Sequence, residues 1–282
     1  MDASSYLSDN PYRRYRRLED ERSELAKKYY EIKGEQMSTQ NIYDNPIFFE
    51  RYKKLRENPE NVVLLVEKPA LFSLVPDLTN KTVLDLGCGY GENCAEYKRL
   101  GASKVTGVDI SEKMLAVAKA ETSCIEYLRI DINDLSEVCG TFDCVFSSLA
   151  VHYIVDFDKL CNQVAALLND DGCFVFSQEH PNKTAPLKGV SWTKDEHGNT
   201  LHYNLSDYAR SGVREQKWIL DGVIKYHRTF SEIVNVLVSN GFSIEKMIEP
   251  VPDEAALIRL PNYADLLHRP NILLIRSRKA LK

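Results

Sequence analysis

No stretch of this chain is long and apolar enough to span a membrane, and no apolar run follows its first charges; a span takes roughly 18 or more such residues. Net positive charge is also missing. The 36 Lys and Arg stand against 41 Asp and Glu, a formal charge of −5, and the resulting field repels nucleic acid. No two cysteines are spaced C-x-x-C, and the total of seven is odd, all between Cys88 and Cys173. A disulfide framework and a zinc ribbon are thereby excluded, and reduced thiols in a cytoplasmic protein are expected. Tryptophan is scarce: Trp192 and Trp218 are the two, both in the segment 182–228.

What is present is apolar material, 44% of 282 residues, enough for one large core and a small accessory region. The most informative stretch is Val83-Leu84-Asp85-Leu86-Gly87-Cys88-Gly89-Tyr90-Gly91-Glu92-Asn93. A short apolar run reads as a buried strand. The glycines behind it permit a sharp strand-to-helix turn and close approach of a ligand to backbone. The dinucleotide spacing G-x-G-x-x-G is broken by Glu92, a poor neighbour for a pyrophosphate. Asp85 suits the ammonium end of a zwitterion. A second run, Lys104 to Val108, ends at Asp109, an acid suited to two ribose hydroxyls. A third, Ile125 to Ile130, ends at Asp131-Ile132, a carboxylate for an exocyclic amine and an apolar face for adenine. Amino acid, ribose and adenine are matched without any phosphate.

Four motifs in order carry a family resemblance: Val83 to Gly91, Gly107-Val108-Asp109-Ile110-Ser111, Asp131-Ile132-Asn133-Asp134-Leu135 and Phe142-Asp143-Cys144-Val145-Phe146. Residues 81–178 resemble the core of class I S-adenosylmethionine (SAM)-dependent methyltransferases. From Met37 onward the chain is also similar to bacterial small-molecule-type methyltransferases, through Ser177-Gln178-Glu179-His180-Pro181 and Lys225-Tyr226-His227-Arg228-Thr229. The resemblance implies an α/β fold, a Rossmann-like and mostly parallel sheet with an antiparallel C-terminal pair and helices on both faces. It implies SAM as cofactor, S-adenosylhomocysteine as product, and cofactor contacts from Asp85, Gly87, Cys88, Gly89, Asp109, Ile110, Met114, Asp131, Ile132, Ser148 and Leu149. An aromatic from the N-terminal helices, Tyr43 or Tyr52, is expected over the methionine end.

The organisation follows from pattern. Residues 1–36, with Arg13-Arg14-Tyr15-Arg16-Arg17 and a mixed-charge stripe to Lys33, read as a charged, partly helical extension. A homodimer through it is the sharper alternative. The domain proper is 37–282. Helical segments at 47–52 and 62–75, broken by Pro69, form an N-terminal cover within 37–80. Strands at 81–86, 104–109, 125–130, 142–147 and 172–178 alternate with helices at 91–100, 112–120, 133–138 and 156–168, the pattern of a parallel sheet. A helix at 230–240 and strands at 242–248 and 271–277 close the domain. The aromatic segment 182–228 reads as a lid over the acceptor.

Methyl transfer needs positioning and exclusion of water, so no nucleophile motif is expected. Ligands of open parallel sheets bind at the carboxyl ends of the strands. That rule places Ser147 to Tyr153 against the acceptor, with His152 as candidate general base, because imidazole titrates near neutrality. His180, Glu179 and Tyr153 are further candidates, with Trp192 and Tyr203 from the lid. His227 and Arg228 read either as holding an anionic acceptor or, for Arg228, as pairing with Glu179. Asp131, Asn133 and Asp134 do not read as a metal set, so no metal is expected. Behind the fourth strand stands Ser147-Ser148-Leu149-Ala150 rather than the Asp/Asn-Pro-Pro-Tyr/Phe of amino-directed DNA enzymes. Within the catalytic region no basic stripe marks an RNA module, and a small-molecule acceptor is expected. The rivals are an NAD(P)-linked oxidoreductase and a SAM-sensing module without turnover.

Overall fold

A computed structural model of the protein describes residues 40–188 and 191–280. The expected helix of the 1–36 extension, and dimerisation through it, fall outside the described residues. From Asn41 the chain forms one unit. Its first helix, α1 (Pro46–Glu57), begins where the Asn45 side chain accepts from the amides of Ile47 and Phe48 at 3.0 and 3.2 Å, with Pro46 in the first turn. The helix expected over 62–75 is interrupted. A single π-helical turn, Val63–Glu67, runs into α2 (Lys68–Phe72), and Pro69 sits in the first turn of α2, where a missing N–H costs least.

The core alternates as the pattern predicts. Strand β1 (Thr82–Leu86) is followed by α3 (Glu92–Arg99), β2 (Lys104–Asp109), α4 (Glu112–Glu121) and β3 (Glu126–Arg129). Then come β4 (Phe142–Ser148), α5 (Phe157–Leu167) and β5 (Leu168–Glu179). Pairing is parallel from β3 through β2, β1 and β4 to β5. Such a sheet is buried on both faces, so its strands read as near-continuous apolar runs. Leu84, Val145, Phe174 and Phe176 face α5, and Val83, Phe146 and Val175 face α2 to α4. On the latter side Tyr97 stacks on Phe146 with ring centroids 4.3 Å apart.

Two expectations change in detail. No helix forms over 133–138: the carboxylates of Asp131 and Asp134 accept from the amides of Asn133 and Ser136, and these local turns displace helical hydrogen bonding. The strand expected at 172–178 begins earlier, and Asn169 to Gly172 form an irregularity inside the longer β5. The register jumps there from Phe142↔Leu168 to Cys144↔Cys173, and Asp171 has φ +61°.

After β5 the chain makes α6 (Pro181–Thr184) and two antiparallel hairpins, β6 (Trp192–Lys194) with β7 (Thr200–Tyr203) and β8 (Gly212–Trp218) with β9 (Leu220–His227). It re-enters the domain at α7 (Phe230–Ser239) and β10 (Phe242–Ile248), then passes α8 (Glu254–Arg259) to reach β11 (Ile272–Lys279). Strand β11 lies antiparallel between β10 and β5, giving the order β10-β11-β5-β4-β1-β2-β3. A dinucleotide fold would continue the parallel pattern there, so this edge speaks against the oxidoreductase rival.

Helix α7 starts with a reciprocal cap: Thr229 Oγ1 accepts from the Glu232 amide at 3.2 Å, and Glu232 Oε2 accepts from the Thr229 amide at 2.6 Å. Thr229→Ala is expected to lower stability by about 1 kcal/mol in urea unfolding. Circular dichroism of the folded variant should match the parent.

Candidate functional site

Strands β1, β2, β4 and β5 end on the same edge of the sheet, and their loops build one site. Gly87 turns the chain out of β1 with φ +72°, and a Cβ there would lie 2.6 Å from the Ala150 Cβ. Gly89 has φ +53°, yet a Cβ there would meet nothing within 4 Å. The first glycine is demanded by neighbours. The second faces open space, the arrangement that lets a ligand approach bare backbone.

A buried carboxylate holds this loop to the next one. Asp109, at the end of β2, accepts from the Gly89 amide at 2.9 Å with one oxygen and from the Ser111 amide at 2.8 Å with the other. Burial raises its pKa, and those amides oppose the rise. Ser111 caps α4 through the Met114 amide, and Asp44 accepts in turn from Ser111 Oγ at 2.6 Å and the Lys113 amide at 3.1 Å. Met114 itself is buried, and Ile110 lies between the two anchored residues.

Asp85 is 1% exposed. One oxygen accepts from Cys94 Sγ at 3.2 Å, and the other has no hydrogen-bond partner among the described residues. Burial is the largest influence on it and pushes its pKa up to about 7, although Cys94 pulls the other way. The unmatched oxygen leaves acceptor capacity unused at the foot of the glycine loop. Asp131 bonds the Asn133 backbone and side chain, and Ile132 stands within reach of the Gly87 position. Cys88 is half-buried in the loop, a free thiol. Glu92 turns away to Arg56 and Lys68 on the cover.

Tyr43 and Tyr52 both lie in one aromatic cluster with Phe48, Tyr90, Tyr153 and Trp218; Tyr43 meets Tyr52 at 5.3 Å and Tyr153 at 6.4 Å between ring centroids. The structure thus draws Trp218, which the sequence reading did not single out, to the cover helix, where it packs on Phe48 and Tyr52 at 5.5 and 6.0 Å. Trp192 and Tyr203, the two expected lid contacts, face each other across β6 and β7, with Arg269 over both rings.

At the end of β4, Leu149 is held at φ +53° because its amide donates to Ser177 Oγ at 2.9 Å. Glu67, in the π-helical turn, accepts from Ser148 Oγ at 2.8 Å and Ser177 Oγ at 2.6 Å. Burial raises the Glu67 pKa against these two bonds. This carboxylate was missed, since its partners lie 81 and 110 residues away; the local signal is a glutamate buried in an irregular helix.

His152 is buried beside Tyr153, ring centroids 4.3 Å apart, and its Nδ1 accepts from the Glu179 amide at 3.4 Å. Burial brings its pKa down to about 3. His180 and His227 use both ring nitrogens within the protein. Nδ1 of His180 accepts from the Asn182 amide and its Nε2 meets Glu249 at 2.7 Å. His227 is held between Thr184 Oγ1 and the Tyr208 carbonyl. Arg228 donates to the carbonyls of Ile154 and Val155 rather than pairing with Glu179. The partners of Glu179 are Lys183 and Lys225. Among the described residues, no group of three His, Cys, Asp or Glu is gathered to hold a metal, and no helix is long and apolar enough to cross a membrane.

Residues 83–172 match a family model for a methyltransferase domain. An uncharacterised protein of Haemophilus influenzae is 38% identical over 249 residues, which is 86% of this chain and 98% of that one. A solved structure from Listeria monocytogenes shares 40% identity at a TM-score of 0.70, over 76% of this chain and 96% of its own. The solved S-adenosylmethionine-dependent methyltransferase of Mesorhizobium loti shares 38% identity at 0.70, over 75% and 97%.

The Asp85 environment has a consequence for stability. A carboxyl whose folded pKa is raised to about 7 stabilises the fold at acid pH, and that contribution is lost as pH rises from about 4 through 7. In ligand-free protein, Asp85→Asn is expected to gain on the parent over this window. By pH 8 the difference should be roughly 1–4 kcal/mol in urea unfolding. A pH-independent difference would contradict the assignment.

Proposed function

The chain belongs to the S-adenosylmethionine-dependent methyltransferase family, and from that premise we propose that it methylates a small molecule held between the β4 loop and the lid. SAM is its methyl donor. When bound, it supplies a methyl group on a positively charged sulfur, transferred by in-line displacement to an O, N or C atom of the acceptor. The observation that carries the reading is the pairing of an open Gly89 with the unmatched oxygen of Asp85 at the strand ends. One offers approach to backbone, and the other a counter-charge for an ammonium group.

The remaining assignments follow the same edge. Asp109 retains lone pairs beyond those given to Gly89 and Ser111, and these suit ribose hydroxyls. Asp131 and Ile132 suit adenine, while Cys88, Ile110, Met114, Ser148 and Leu149 line the path between. Tyr43 and Tyr52 cover the methionine end, where aromatic faces favour a cation. For His152 the reading shifts from general base to neutral hydrogen-bonding group. With Nδ1 accepting from backbone, a neutral ring carries its proton on Nε2 and donates it toward the acceptor. Tyr153, beside it, shapes the acceptor side. The lid hairpins supply the exclusion of water that displacement at the methyl carbon requires.

Calorimetry with SAM, S-adenosylhomocysteine and NADH tests the cofactor site: both sulfur ligands should bind and NADH should not. Asp109→Ala should weaken SAM binding at least about tenfold, since hydrogen bonds to charged groups contribute about 1.5–3 kcal/mol. Labelled SAM offered with a lysate should mark the low-molecular-weight fraction. Label on protein or RNA would exclude the small-molecule reading, and binding without any transfer would point to a sensor.

His152→Ala should leave SAM affinity within about twofold and lower turnover on the acceptor about 10- to 100-fold. Because its pKa lies near 3, the parent's kcat should show no histidine titration between pH 5 and 8. An inflection near 6.5 that disappears in the variant would restore the general-base role.

A further inference from the structure

At the carboxyl end of β5 three charged side chains from separate elements meet. Glu179 Oε1 accepts from Lys183 Nζ at 2.6 Å and from Lys225 Nζ at 2.7 Å. Lys183 comes from α6 and is a third exposed at its side chain, whereas the Lys225 side chain, from β9, is only 3% exposed. The other oxygen of Glu179, whose side chain is 9% exposed, has no hydrogen-bond partner among the described residues. The cluster adjoins the acceptor side directly, since the Glu179 amide donates to His152. Trp218 forms one wall: the Lys225 ammonium lies 5.3 Å from its ring centroid, and the ring packs on Tyr52.

Two lysines against one carboxylate leave one positive charge, shared between the buried Lys225 and the partly exposed Lys183. Burying an uncompensated charge is costly, and such charges are retained where something answers them. Each ammonium has three N–H donors. Among the described residues the one side-chain hydrogen bond of Lys225 goes to Glu179, so this buried lysine has donors to spare. Of the other buried cations nearby, Arg214 donates to the carbonyls of Ala185, Gly212, Val213 and Arg210, while Arg269, beyond the lid, donates to Asn271 beneath two aromatic rings and keeps an Nε without a partner among the described residues.

We infer that the methyl acceptor carries a carboxylate, bound by Lys225 and Lys183 against the face of Trp218, with Glu179 holding the two lysines in place. The inference rests on the methyltransferase reading and names the substrate class for its acceptor side. A monoanion matches the single residual charge, while a dianionic phosphate would crowd the unmatched oxygen of Glu179. Glu179 serves as a positioning residue. Burial alone would raise its pKa, but the two lysines hold it well below the carboxylate range, so it is ionised. Burial lowers the Lys225 pKa, and Glu179 opposes that.

The test uses the full chain saturated with S-adenosylhomocysteine, titrated with phenylacetate, with its neutral isostere phenylacetamide, and with phenyl phosphate. Phenylacetate should bind at least about tenfold more tightly than the amide, and Lys225→Met should remove that preference. Affinity for S-adenosylhomocysteine should stay within about twofold in the variant, which also reports that it has folded. If Lys225→Met does not fold, Lys183→Ala should lower phenylacetate affinity at least about threefold. Equal binding of acid and amide, no binding of the acid, or variants indifferent to the charge would overturn the inference. So would tighter binding of phenyl phosphate. Failure of the parent chain to bind S-adenosylhomocysteine would instead sink the methyltransferase reading itself.

Discussion

The site depends on one carboxylate that both of its loops use. Asp109 spends an oxygen on the Gly89 amide and an oxygen on the Ser111 amide, tying the turn after β1 to the start of α4. Without that tie the glycine loop would have the conformational freedom that makes glycine useful and unstable at once. Asp44 extends the chain of constraint by capping the same helix from the N-terminal cover. A ligand entering this edge therefore meets a surface already set by buried hydrogen bonds, which lowers the ordering cost of binding.

Three buried carboxylates around the site sit in three electrostatic situations. Asp85 has one weak thiol donor and an oxygen without a partner. Glu67 is held by two serine hydroxyls that fasten the cover to the ends of β4 and β5. Glu179 is paired with two lysines. Desolvation acts on all of them, so what separates them is the company each keeps. The first keeps an acceptor in reserve, the second is a fastening, and the third anchors cations. Divergent environments for like groups are how a single fold gives each a separate task.

The parts of this architecture written locally were legible in the sequence. Apolar runs ending in Asp85, Asp109 and Asp131, and the glycines behind the first, are contiguous signals, and they located the parallel sheet and its order of motifs, while its antiparallel edge was implied by the family resemblance. What escaped was long-range. The Glu67 bonds reach across 81 and 110 residues, and Lys225 meets Glu179 across 46. Nothing in the spacing of the lid tells Trp192 from Trp218, and only the pairing of two hairpins sends one to Arg269 and the other to the cover helix. The helix expected at 133–138 failed for a local reason, because two aspartates offered the backbone a nearer partner.

The scarcity of tryptophan has an optical consequence. Each of the two indoles belongs to a different hairpin, and each faces a cation: Trp192 lies 5.1 Å from the Arg269 guanidinium and Trp218 5.3 Å from the Lys225 ammonium. Indole emission responds to nearby charge and to the polarity around the ring. The molecule thus carries two intrinsic fluorophores, one for each hairpin, and replacing either with phenylalanine leaves a single-colour reporter of the other.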